Sequence, residues 1–109
     1  METYPPGEIV LVAFPFADAT TARRRPALIL LDTGDNDIMV ARVTNQAARD
    51  QFNIELEDWG SAGLLLPSIA RVHKLATLEK RIVERRLGAL TSNDWNRVRE
   101  SIQRLWTGM

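Results

Sequence analysis

Five short apolar or alternating runs, the first four each closed by a proline or a turn cluster, precede a single helical pattern. That succession restricts the chain to a small, mainly β fold. Pro5-Pro6-Gly7 makes a turn before Ile9–Phe14, which is nearly all apolar, and Pro15 stops it. Pro26–Leu31 reads as a second buried strand, closed by the turn-forming stretch Asp32–Asp37. Ile38–Val43 is a third strand and ends at Thr44-Asn45-Gln46. Phe52–Glu57 alternates with period two, as a half-exposed strand does. Ser68–Leu75 alternates with one imperfect step after Ile69, which predicts a register shift or bulge. Short strands with turns between them point to a small barrel or curled sheet.

The last segment has a different period. Thr91 followed by Asp94 resembles a capping box, with Leu90 and Trp95 placed as a hydrophobic staple. Trp95, Val98, Ile102, Leu105 and Trp106 recur at helical spacing and leave Arg97, Arg99, Glu100, Gln103 and Arg104 mostly outside. This is an amphipathic helix laid on the sheet, its tryptophans expected in the core or at an interface. A paired dimer surface is the alternative for Trp106.

Composition narrows the chemistry. At 109 residues the chain makes one domain. Lys plus Arg and Asp plus Glu each number 14, so no global basic field exists and a polyanion has to be held by a local patch. With no cysteine there is no disulfide framework, thiolate nucleophile or thiolate-bound metal. One histidine, His73, can supply neither a two-imidazole acid–base pair nor a His-rich metal site, and its strand setting favours a structural role. There is no glycine-rich phosphate loop, no nucleophile elbow, no secretory signal and no membrane-spanning run. The expectation is a cytoplasmic protein without metal or cofactor.

What remains is the block Arg23-Arg24-Arg25, which runs straight into Pro26. Proline pre-sets an extended backbone and restricts the residue before it. Arg25 is thereby placed at the fixed mouth of a strand, after a loop from Phe16 to Arg24 that holds a single acid, Asp18. Arginine forks can grip phosphates and stabilise charge at phosphorus; a solvated loop face is the competing reading. Thr44-Asn45-Gln46 puts three hydrogen-bonding side chains at a strand end, where turn chemistry is the competing reading.

The order Pro6–Val12, Phe14-Pro15-Phe16, Arg25–Leu30 and Val43–Gln46 resembles the PemK/MazF family of toxins. Gly63-Leu64, Ser68, Lys74–Leu78 and Leu87–Leu90 follow in the family's order, so the resemblance runs from about Pro6 to Leu105. It implies an SH3-like curled antiparallel barrel with a C-terminal α-helix, commonly a homodimer. It also implies a metal-independent endoribonuclease that cuts single-stranded RNA to 2′,3′-cyclic phosphate and 5′-hydroxyl ends and is inhibited by a cognate antitoxin. On that resemblance Arg25 and Thr44 are the catalytic residues. Phe16, Arg23, Arg24, Asn45, Gln46 and Ser68 are the candidate substrate-binding residues, with Ser68 at least as often structural. The loop Ala17–Arg24 lacks the family's glycine, so the cut sequence does not transfer. A non-enzymatic protein-binding module on the same barrel is the alternative, because small barrels host many functions.

Overall fold

The computed structural model describes residues 2–14, 23–46 and 50–109, with the backbone alone for Phe14 and Arg23. Its strands are β1 (Glu8–Phe14), β2 (Arg23–Asp32), β3 (Asp37–Thr44), β4 (Asn53–Glu55), β5 (Ile69–Glu79) and β6 (Val83–Ala89). One 3₁₀ turn, Lys80–Ile82, joins β5 to β6, and helix α1 (Ser92–Thr107) ends the chain. All pairings are antiparallel, in the order β4-β5-β3-β2-β1-β6. The fold is the expected mainly β one with a C-terminal helix. Its sheet is curled but not closed: β4 and β6 are its edges among the described residues.

Both faces of the central strands are covered, and this explains their nearly unbroken apolar runs. Ile9, Leu28 and Val43 contribute to a core that also holds Val72 and, from the helix, Val98. Val10, Val12, Ala27 and Ile29 point to a second core with Tyr4 and Val40. Strand β4 is shorter than the alternating run predicts, and β5 is longer by the stretch to Glu79. The predicted irregularity in β5 exists. Ala41 pairs with Leu75 and Arg42 with Arg71, so the shift falls between Arg71 and Leu75, a little beyond Ile69.

Strand β6 has no counterpart in the sequence reading. Its residues Val-Glu-Arg-Arg-Leu-Gly-Ala neither alternate nor form an apolar run. An edge strand can be held by backbone pairing to one neighbour, here β1, with little demand on its side chains. The segment before β5 then packs on β6 at two glycines. A Cβ on Gly63, whose φ is +82°, would collide with the Leu87 carbonyl, and one on Gly88 would stand 2.6 Å from the Ala62 carbonyl oxygen. Only glycine allows both the left-handed backbone and this approach.

The helix begins as its cap predicts: Thr91 Oγ1 accepts from the Asp94 N–H at 3.4 Å. Asp94 does not return the bond to Thr91. Its carboxylate is fully buried and accepts from the backbone N–H groups of Glu57 (3.1 Å) and Asp58 (2.8 Å), with Arg97 at 3.0 Å. The helix start thus fixes the turn after β4. At the other end Trp106 is 74% exposed, outside the core that the helical spacing allowed for it.

A separate lock holds the N-terminal segment. Asp32 accepts from the N–H groups of Tyr4 (2.9 Å) and Gly34 (2.8 Å) and pairs with Lys80 at 2.9 Å. The Tyr4 N–H above all, then the Lys80 ammonium and the Gly34 N–H, hold the Asp32 carboxyl down at about 2.

Candidate functional site

Strand register brings the two principal candidates together. Ala27 pairs with Arg42 and Leu28 with Ala41. The pairing ends at Ala27 and Arg42, which leaves Arg25 and Thr44, the last residue of β3, just beyond it on neighbouring strands. Both line one cavity of about 320 Å³ at this end of the sheet. Leu11, Pro26, Val43 and Leu87 give it an apolar wall, and Leu64-Leu65-Leu66 form a lip on which Leu65 is 91% exposed.

Arg25 carries the electrostatics. An arginine guanidinium carries a positive charge on a planar fork of donors. The Arg25 Nε is buried and has no hydrogen-bond partner among the described residues. A buried donor of this kind is costly until an acceptor reaches it. An acceptor group that reached Nε would relieve that cost.

Thr44 is held ready by its neighbour. The Gln46 N–H donates to Thr44 Oγ1 at 3.1 Å, a local turn of the kind that hydroxyl side chains favour. A hydroxyl has one proton to give and two lone pairs to receive with. The bond from Gln46 uses a lone pair, so the Thr44 proton remains available to a ligand oxygen. Gln46 therefore acts through its backbone and does not line the cavity among the described residues, whereas Asn45 does.

The other candidates divide sharply. Arg23 and Arg24 belong to β2, not to the preceding loop, and pair with Phe14 and Ala13. The strand extends past Pro26 because β1 offers paired backbone on that side, which the arginine block does not announce. Arg24 borders the cavity, but its Nε donates to Glu84 Oε2 at 2.6 Å. Ser68 is nearly buried and its Oγ donates to the Leu66 carbonyl at 2.7 Å, so it braces the lip. Phe16 and the loop up to Ala22 lie outside the described residues. His73 is not at the cavity; its Nε2 is 3.4 Å from Asp50 Oδ2 and its ring leans on Phe52, in keeping with a structural role.

Two contributors escaped the sequence reading. Arg85, from the unforeseen β6, lines the cavity opposite the Arg25 side, and the Leu64–Leu66 lip borders it. Neither has a local signature; each is delivered by the Gly63–Gly88 contact between the lip segment and β6. Among the described residues no three His, Cys, Asp or Glu side chains converge as a metal site, and no helix is long and apolar enough to cross a membrane.

The family model described as PemK-like, MazF-like toxin of type II toxin-antitoxin system matches residues 5–106. Comparison with curated protein sequences yields no match. Among solved structures, MazF from Deinococcus radiodurans superposes with a TM-score of 0.73 at 23% identity, covering 99% of this chain and 100% of that one. MazE–MazF from the same organism gives 0.76 at 19% identity, with 94% of each chain covered. An endoribonuclease from a mycobacterial species gives 0.76 at 15% identity, over 95% of this chain and 91% of that one. At these identities the likeness is one of fold.

Proposed function

The chain belongs to the PemK-like, MazF-like toxins of type II toxin–antitoxin systems, and we propose that it acts by cutting single-stranded RNA without a metal ion. The observation that carries this reading is that Arg25 and Thr44 line one cavity, with a buried Arg25 donor that has no partner among the described residues. Endoribonuclease is also what one structural neighbour is called.

In this reading the ribose 2′-hydroxyl attacks the adjacent phosphorus and gives its proton to solvent water. The bond from phosphorus to the 5′-oxygen breaks, and that oxygen takes a proton back from solvent. The products are a 2′,3′-cyclic phosphate and a 5′-hydroxyl. Between them lies a crowded, doubly negative phosphorus centre. The Arg25 fork donates two parallel hydrogen bonds to its oxygens, and Thr44 gives its free proton to a nonbridging oxygen. A preorganised donor aimed at developing charge contributes up to about 4 kcal/mol, the charged Arg25 fork more than the neutral Thr44 hydroxyl. Charge stabilisation is the role assigned to Arg25, since arginine is a weaker candidate for general base. Asn45, at the cavity edge, contacts the substrate.

The same cavity is where a cognate antitoxin would act. One neighbouring structure is an endoribonuclease in complex with its cognate antitoxin. An acidic, disorder-prone segment folding onto the site would put carboxylates where RNA phosphates bind. A second copy of the chain is the other expected partner, and cytoplasmic RNA the target. Purified protein freed of antitoxin and incubated with mixed-sequence RNA in EDTA tests the activity. RNA left intact by the wild type would sink it, and RNA bound together with antitoxin at Arg25 would sink the inhibitory model.

A further inference from the structure

We infer that Arg85 is a second phosphate-binding residue, holding the phosphate next to the scissile one, so that the RNA strand crosses β1 from β2 to β6. The inference rests on the ribonuclease reading of the cavity. Leu11 of β1 pairs with Pro26 on one side and with Arg85 on the other. Arg85 and the Arg25-Pro26 corner therefore stand two strand spacings apart, roughly 10 Å at the backbone. Arg25 and Arg85 both line the cavity, and Leu11 of β1, between the two strands, lines it too. This order of cation, apolar wall and cation matches the order of phosphate, nucleoside and phosphate along a nucleic-acid strand.

The choice of Arg85 over Arg24 follows from a bulge. Leu11 pairs with Arg85 and the next residue, Val12, with Val83, which leaves Glu84 as the extra residue of β6. Bulges re-aim side chains. Glu84 meets Arg24 and neutralises it, at an Nε–Oε2 distance of 2.6 Å. Arg85 is exposed, lines the cavity and has no ion-pair partner among the described residues. Nothing in the described fold needs its charge.

The test uses a single-stranded RNA whose 2′-hydroxyls are methylated, which removes the nucleophile and leaves the phosphates. Affinity is measured over a range of salt for the wild type, Arg85→Ala, Arg85→Lys and Arg24→Ala. Loss of the Arg85 contact should weaken binding about tenfold and reduce the slope of log affinity against log salt by about 0.7. Arg85→Lys should recover most of that slope. On unmodified RNA, Arg85→Ala should raise KM while kcat stays within about twofold, since its contact is made equally in the ground and transition states. An unchanged salt slope in Arg85→Ala, or a loss that falls on Arg24→Ala instead, overturns the inference. Wild-type protein that neither binds nor cuts RNA overturns the ribonuclease reading itself, and the Arg85 assignment with it.

Discussion

Glu84 Oε2 lies 2.6 Å from Arg24 Nε, across the bulge where β6 pairs with β1, and this pair splits the arginine block into unequal members. The pair is substantially exposed, with side chains 66% and 34% accessible, so it contributes at most about 1 kcal/mol to stability. Its main effect is on charge at the cavity. Glu84→Gln should release Arg24, tighten RNA binding and steepen the salt slope by about 0.7, with melting temperature nearly unchanged. Fluorescence anisotropy titrations check this; an unaltered affinity would mean that Arg24 is too far from the RNA path to matter.

Arg25 and Thr44 should differ in what their loss costs. Removing a charged fork from a developing dianion should lower kcat at least 10²–10³-fold, the range for one preorganised donor. Thr44→Val removes a neutral donor of similar shape and should cost about tenfold, roughly 1.4 kcal/mol of transition-state stabilisation. Thr44→Ser should retain most activity. Single-turnover cleavage rates separate the cases, and equal losses for Arg25→Ala and Thr44→Val would refute this division of labour.

Asp94 ties the helix to the turn after β4 and so supports the lip from a distance. Asp94→Ala leaves the part-buried N–H groups of Glu57 and Asp58 without their acceptor, and Arg97 without its closest carboxylate. The expected loss is about 3 kcal/mol, read as a lower urea midpoint. A midpoint within error of wild type would show that water replaces the carboxylate at no cost.

Acid sensitivity should report on Asp32. Its carboxyl is held down at about 2, below its value in the unfolded chain, chiefly by the Tyr4 N–H and then by Lys80. A depressed folded value means that the stabilisation is complete above the unfolded value, about 3.9. It is lost as pH falls from there through about 2. Asp32→Asn should be less stable at neutral pH and should lose less further stability between pH 4 and pH 2 than the wild type. Parallel melting curves for the two proteins across that window would contradict the assignment.

Legibility in the sequence tracked how local each cause is. Pro26 and the apolar run after it announced β2, and Thr91 with Asp94 announced the start of the helix, because caps and proline act within a few residues. That Arg25 and Thr44 share a cavity was foreseen only through family resemblance; its physical cause is the register between β2 and β3, set by many side chains together. Strand β6, the Glu84 bulge and Arg85 were invisible because backbone pairing to β1 and the Gly63–Gly88 contact make them. Trp106 fits the helical period yet is exposed, since a period fixes a face and not whether anything covers its far end.

Mapping RNA ends tests the central claim most directly. A mixed-sequence RNA pool is incubated in EDTA with the wild type or with Arg25→Ala, and the new termini are identified chemically. The wild type should leave 2′,3′-cyclic phosphate and 5′-hydroxyl ends at a restricted set of sequences, and Arg25→Ala should leave the pool intact. Cleavage by Arg25→Ala at the wild-type rate, or wild-type cutting that stops in EDTA, would contradict the account.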